Sequence, residues 1–341
     1  IGIEMAENLK HRGVDVTLVE MLPQVMAPLD IEMAAIVHQH LKLKGVHLAL
    51  GDGVAGFEEK GQRVTTTLAS GQKVESDIVI LAIGVKPEIK LAVEAGIETG
   101  RGIVVNEAML TSDPDIYAVG DAVEIREFQS GSQTLVPLAW PANKQGRIAA
   151  DNIAGLRSVY QGTQGTSIVK AFDLTVATTG LNEKQLVKAG IPYLKTYTHS
   201  GHHAGYYPGA IPMSIKILFS PDDGKLLGAQ IVGIEGVDKR IDVLATAIRA
   251  RMTVFDIESL ELAYAPPYSS AKDPAIMAAF VAGNVLSGRV RIIHWDQIAA
   301  LDGKHDWLLD VRAEDEFELG SIEGATNIPV NALRERLGEI P

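Results

Sequence analysis

The sequence predicts an α/β protein built from more than one domain. Its 341 residues are enough for two or three hydrophobic cores, and a 46% hydrophobic content with 33 glycines suits a globular chain of strands, helices and tight turns. Short apolar runs of strand type end abruptly on glycine or on an acid, at residues 14–20, 77–84 and 116–121. Stretches with helical spacing of apolar residues, at 31–45 and 237–250, lie among them.

Composition removes several classes of function. A formal net charge of −12 with no basic stripe leaves nothing to neutralise phosphates, so no nucleic-acid partner is expected. No apolar run reaches the ~18 residues of a membrane span. The opening Ile1-Gly2-Ile3-Glu4-Met5-Ala6-Glu7 is not a signal peptide. Cysteine is absent, which removes any support for an oxidising compartment and makes a cytoplasmic location the expectation.

Residues 1–9 read as a helix ended by Gly13, and 14–20 as a buried strand closing on Glu20. In a nucleotide-binding βαβ unit a G-x-G-x-x-G turn is followed, about 20 residues on, by an acid. Here only a last glycine, Gly2, is present, with Glu20 as the acid. We therefore expect the first strand and two glycines to lie upstream, and the chain to be a fragment. Glu20 would bind both adenosine ribose hydroxyls and repel a 2′-phosphate, favouring NADH over NADPH. The plainer reading of Glu20 is a solvated strand end. Residues 31–45 predict an amphipathic helix with Ile31, Ala34, Ala35, Leu41 and Leu43 on its apolar face. Residues 46–50 predict a strand, and 64–68 with 74–75 flank Ser70-Gly71 as a hairpin. Residues 77–84 are the most apolar strand of this half and leave through Gly84-Val85-Lys86-Pro87.

The stretch that organises the chain is Thr111-Ser112-Asp113-Pro114-Asp115-Ile116-Tyr117-Ala118-Val119-Gly120-Asp121. Its apolar run 116–119 predicts a short strand. Gly120 would let the backbone approach a ligand, and Asp121 could accept hydrogen bonds from a ribose or ribitol hydroxyl. A bare Gly-Asp is otherwise a strand followed by a turn. The full string resembles the second flavin-binding motif of the pyridine nucleotide-disulfide oxidoreductases. That resemblance implies that Asp121, beside Gly120, holds the ribityl chain of FAD. It also implies that Gly84 passes under the NAD dinucleotide where the chain returns from the nicotinamide domain. Downstream, Pro141 suits the first turn of a helix. By the same resemblance, backbone amides near Leu138 and Ala139 face the flavin pyrimidine edge. A smaller residue often stands where this chain has Trp140.

Residues 165–285 mix strands (169–178, 211–219, 225–233) and helices (182–189, 237–250). With the peptide Gly228-Ala229-Gln230-Ile231-Val232-Gly233 they resemble the family's dimerisation domain, which implies a homodimer. Two Pro/Gly-rich loops carry paired tyrosines, at 202–209 and 262–274. They resemble the coenzyme A-disulfide reductase branch, which implies that Tyr206 and Tyr264 lie by a reactive sulfur. Aromatic packing is the alternative for each taken singly. His202 and His203 lack partners at ligand spacing, so a solvated loop is expected and no metal site.

From about residue 289, Leu308-Leu309-Asp310-Val311-Arg312 and Gly320-Ser321-Ile322-Glu323-Gly324-Ala325-Thr326-Asn327-Ile328-Pro329 resemble the opening half of a rhodanese domain. The expected organisation is therefore 1–87 NAD-binding, 88–160 the C-terminal part of an FAD-binding domain, 161–287 a dimerisation domain of α+β type, and 288–341 a partial rhodanese-like α/β domain. The nucleotide domains would be partial Rossmann-like folds. The resemblance implies an FAD-dependent, NADH-using reductase of coenzyme A disulfide, persulfide or a related small-molecule sulfane sulfur. Its redox cysteines would lie outside the fragment, at both ends, leaving these residues inactive alone. The rival readings are an NADH oxidase or peroxidase of the same family, and a non-catalytic flavin- or sulfur-binding module.

Overall fold

The computed structural model describes residues 1–302 and 305–341, which divide into two compact units, Ile1–Ser287 and Gly288–Pro341. The first unit opens with α1 (Gly2–His11), whose Glu4 lies in the first turn and Lys10 and His11 in the last, matching the helix dipole. Gly13, at φ +78°, turns the chain into β1 (Val16–Glu20). After α2 (Ile31–Leu43) comes β2 (Val46–Leu50), which pairs with β1 in parallel from Val16↔Val46 to Glu20↔Leu50. The predicted 14–20 strand is only partly buried, and Val14 is exposed. On α2 the buried stripe is Met33, Ala34, Val37 and Leu41, not the expected set. Ile31, Ala35 and Leu43 face outward, because the adjacent sheet meets the helix on the other side of Ala34.

The strands β3 (Val54–Lys60), β4 (Arg63–Leu68) and β5 (Lys73–Ser76) form an antiparallel sheet. The Ser70 turn is held by Asp52, whose Oδ1 accepts from the Ser70 amide at 2.9 Å. Residues 77–84 form no strand, correcting that expectation: Leu81 and Ile83 are 65% and 90% exposed. An apolar run becomes a strand only when another edge takes its hydrogen bonds, and no described residue does so here.

After α3 (Lys90–Glu94), β6 (Ile103–Val104), β7 (Val123–Arg126) and β8 (Gln133–Thr134) make a small sheet in the order β6-β7-β8. The helix α4 (Ala139–Ile153) packs on it through Ile148 and Ala149, over a core that includes Met109, Val123 and Ile125. The expected strand at 116–119 is instead irregular backbone after a turn at 114–115, with one isolated bridge, Leu110↔Tyr117. Its carbonyls go to local donors, with Thr111 N–H and Oγ1–H both bonded to Ile116 O, and the strand forms after Gly-Asp.

The rest of the unit is a five-stranded sheet in the order β11-β12-β13-β10-β9. Its strands are β9 (Ser167–Ala171), β10 (Leu174–Gly180), β11 (Leu194–Gly201), β12 (Pro212–Phe219) and β13 (Leu226–Gly233), all antiparallel to their neighbours. The single strand expected over 169–178 is a hairpin: Phe172, at φ +57°, turns the chain and buries its ring edge-on to His11 and His40. The helix α5 (Glu183–Ala189) starts in a capping box between Asn182 and Gln185. The helices α6 (Val237–Arg249), α7 (Val254–Glu258) and α8 (Pro274–Leu286) close one face of the sheet over Ile215, Ile217, Phe219 and Ile231.

Within this unit Lys216 of β12, fully buried, joins separate elements. Its ammonium donates to Asp30 at 2.8 Å and also bonds Glu32 and Glu183. Asp30 also accepts from Gln230 of β13 at 2.6 Å.

The second unit contains β14 (Leu309–Asp310), α9 (Glu314–Glu318), β15 (Thr326–Asn327) and α10 (Val330–Leu333), with β14 and β15 parallel. Arg312 forks onto Asp310 and reaches Gly320 O at 2.8 Å, while Asn327 Nδ2 bonds both Asp310 O and Arg312 O at 3.0 Å.

Candidate functional site

The first group of residues surrounds the Gly120-Asp121 turn. Gly120 adopts φ +87°, a region that costs other L-residues energy, and no atom lies within 4 Å of where its Cβ would be. The glycine is thus required by backbone conformation and leaves an open face. Its amide donates to Gln145 Oε1 at 2.7 Å, and Gln145 is buried on α4. The turn is therefore pinned to the helix by a side chain that sequence patterning had not singled out. Asp121 follows as an exposed carboxylate.

The N-terminus of α4 offers fewer amides than expected. Leu138 precedes the helix with extended backbone, but its N–H donates to Val136 O at 2.9 Å. Of the candidate pair Leu138 and Ala139, the first thus has its amide engaged within the chain. The first-turn amides without an intrahelical acceptor are those of Ala139 and Trp140, since Pro141 has none. Trp140 is exposed.

The second group lies at the start of the chain. A Cβ on Gly2 would sit 3.3 Å from Ala82 Cβ, so the glycine lets the beginning of α1 approach the 77–84 segment. Glu20 ends β1, and its Oε1 accepts from the Leu22 amide at 2.9 Å, which turns the carboxylate back over the strand end. Gly84 holds φ +90° on an exposed, open path.

The third group pairs the two tyrosine loops. The hydroxyls of Tyr206 and Tyr264 lie 2.9 Å apart, although 58 residues separate them. One hydroxyl donates to the other, leaving the acceptor's own proton free to point outward. Both rings are open to solvent, at 76% and 47% exposure, which excludes core packing as their role in this chain. The hydrogen bond it shares with Tyr206 holds the Tyr264 phenol above its usual range.

The histidines of the first loop are not solvated, against expectation: His202 and His203 are both buried, with ring centroids 4.1 Å apart. His202 Nδ1 lies 3.1 Å from both the amide and the carbonyl of Ile211, and the His203 ring meets Tyr207 edge-on at 5.5 Å. They brace the loop from inside.

Among the described residues one carboxylate group has metal-like spacing, Asp30 with Glu32 and Glu183, and the Lys216 ammonium lies at its centre. Burial disfavours that ammonium, but the three carboxylates outweigh it and raise its affinity for the proton.

These features define a class: parallel and mixed α/β pieces with dinucleotide-type turns, joined to an antiparallel sheet that carries paired phenols. A profile of the pyridine nucleotide-disulphide oxidoreductases matches residues 1–146, and one of that family's dimerisation domain matches 166–276. The chain belongs to this family. It is 52% identical to a Bacillus anthracis structure described as reduced CoADR-RHD, covering 99% of this chain and 61% of that one, with a TM-score of 0.95. It is 41% identical to an NAD-dependent persulfide reductase from A. fulgidus, covering 100% and 62%, with a TM-score of 0.93. A curated relative from Methanocaldococcus jannaschii, named NADH oxidase, is 39% identical and is matched over 85% of this chain and 64% of its own length. The chain thus spans somewhat under two thirds of these relatives. No helix among the described residues is long and apolar enough to cross a membrane.

Proposed function

We propose that this chain forms much of a flavin-dependent, NADH-using reductase of coenzyme A disulfide or persulfide. The observation that carries the reading is the Tyr206–Tyr264 hydroxyl pair, 2.9 Å apart on two exposed loops. Cleaving an S–S bond by two electrons leaves negative charge on sulfur, and a phenol proton aimed outward stabilises it. The chain has no cysteine, so a protein thiol taking part in the reaction comes from outside these 341 residues.

The residues suit FAD and NADH. Gly120 offers a face that a Cβ would alter, Asp121 an exposed acceptor for ribityl hydroxyls, and Ala139 and Trp140 the amides of a helix N-terminus. Glu20, at the end of β1, accepts ribose hydroxyls and repels a 2′-phosphate, while Gly2 and Gly84 keep the backbone close to the dinucleotide. Bound FAD supplies two-electron transfer between NADH and sulfur. In this reading the domains are 1–87, 88–160, 161–287 and 288–341, with the antiparallel sheet building a homodimer. The last segment forms the start of a rhodanese-like domain, its Asp310–Arg312 fork shaping the turn after β14.

The test uses the full-length protein under anaerobic conditions. NADH should bleach the flavin, and coenzyme A persulfide or disulfide should restore its colour. Tyr264→Phe should slow the restoring step on the order of tenfold or more. The name of the Methanocaldococcus relative favours a second reading, an NADH oxidase. Colour returning only when oxygen is admitted would decide for it.

A further inference from the structure

We propose that Arg240 is a positioning residue that clamps the two tyrosine loops onto α6 and so holds Tyr206 and Tyr264 together. The significance of that clamp rests on the sulfur-facing reading of the tyrosines; its geometry does not. Arg240 lies on α6 and is 1% exposed. Its Nη2 donates to His202 O at 2.8 Å, four residues before Tyr206. The same nitrogen donates to Ser269 Oγ at 3.1 Å and reaches Tyr268 O at 3.5 Å, just after Tyr264. One guanidinium thereby touches the base of both loops.

Asp273 completes the arrangement. It accepts from Arg240 Nη2 at 2.9 Å and from Ser269 Oγ at 2.8 Å, and it caps α8 by accepting from the Ala275 amide at 3.0 Å. The loops also meet directly, the Ala204 amide donating to Ser269 O at 3.0 Å. Burying a charged pair gives little net stability over an apolar pair of the same shape, so stability alone does not account for it. What an apolar pair could not supply is a fixed fork of donors. Those donors go mainly to the loops and their cap, and the exposed tyrosine tips depend on these bases for their spacing.

A lysine lacks the planar fork and cannot keep the Nη2 contacts while also reaching Asp273 and Gly236 O as Nε and Nη1 do. With tyrosine labelled by ¹³C at Cζ, Tyr206→Phe and Tyr264→Phe assign the two resonances and show where each falls when its partner hydroxyl is absent. Arg240→Lys and Ser269→Ala should move both resonances toward those values while the circular-dichroism melt stays cooperative. In the full-length enzyme Arg240→Lys should lower kcat on the order of ten- to a hundredfold, as misplacement by about 1 Å does, with KM for NADH unchanged. Unmoved tyrosine resonances in folded Arg240→Lys, or in Ser269→Ala if the first does not fold, would overturn the clamp. Moved resonances with unchanged turnover would uphold the clamp and remove the tyrosines from the sulfur chemistry.

Discussion

At the scale of single residues the candidate site depends on conformations that side-chain chemistry alone does not explain. Gly120 is needed for φ +87° and Gln145 for holding that turn to α4. Gly120→Ala should cost about 1–3 kcal/mol through backbone strain, because no steric clash is added. Asp121→Ala should leave folding nearly intact, since the carboxylate is exposed. Both variants of the full-length protein should lose flavin on gel filtration, and the flavin-to-protein absorbance ratio measures it. Retention of a full complement of flavin by Asp121→Ala would remove Asp121 from the cofactor site. Glu183 gives a pH dependence. Burial acts to raise its carboxyl pKa, but hydrogen bonds from Lys216 and Tyr193 outweigh that and hold it at about 2, against an ordinary 4.5. Its folded-state pKa is depressed, so its stabilisation is complete above pH 4.5 and disappears as pH falls from there toward 2. Unfolding followed in denaturant across that window should show the decline, and Glu183→Gln should flatten it.

At the scale of elements, glycines explain how closely the antiparallel sheet packs. A Cβ on Gly228 would lie 1.8 Å from Leu181 O, and one on Gly233 would lie 2.8 Å from Met213 Cβ. The peptide 228–233 was legible as a motif, but its two glycines are there because other backbone and side chains press against β13. Gly228→Ala must push β13 away from Leu181, whose amide donates to Leu227 O at 2.9 Å. We expect it to cost about 1–3 kcal/mol or more, read as a lower midpoint in urea with an unchanged slope. The same scale explains the errors over strands. Residues 77–84 and 116–119 have strand composition, but their hydrogen bonds are either unpaired or taken by local turns. The run at 169–178 is folded back on itself because Phe172 turns with positive φ and buries its ring between two histidines.

At the scale of the first unit, Lys216 is the joint. Its carboxylate partners come from the start of α2 and from α5, while Lys216 itself lies on β12 of the five-stranded sheet. Tyr197 donates to Glu32 at 2.7 Å and Tyr193 to Glu183 at 2.6 Å, so the carboxylates have further partners. Replacing Lys216 by Met would leave three carboxylates facing one another without their central cation. That should cost about 3–5 kcal/mol, the range for breaking a buried ion pair from one side. The loss should shrink as pH is lowered and Glu183 takes up its proton. A Lys216→Met protein whose unfolding midpoint matched the parent's would show that this joint adds little to the unit.

The sequence by itself determined the α/β class, the family and most helices of the unit, and it singled out Gly120, Asp121, Tyr206 and Tyr264 as candidates, because periodicity, turn residues and local strings are carried by neighbours along the chain. Tertiary structure alone decided which of the apolar runs became strands, since a strand exists only when a partner edge takes its hydrogen bonds. It also decided that His202 and His203 are buried, that Leu138 has no free amide to offer, and that Arg240, Asp273 and Gln145 hold the site. Arg240 shares the inward face of α6 with Val237, Ile241, Leu244 and Ile248, so helical spacing places it inside but does not say which loops it meets. Its role comes from bringing together loops 58 residues apart, a distance that no pattern along the chain encodes.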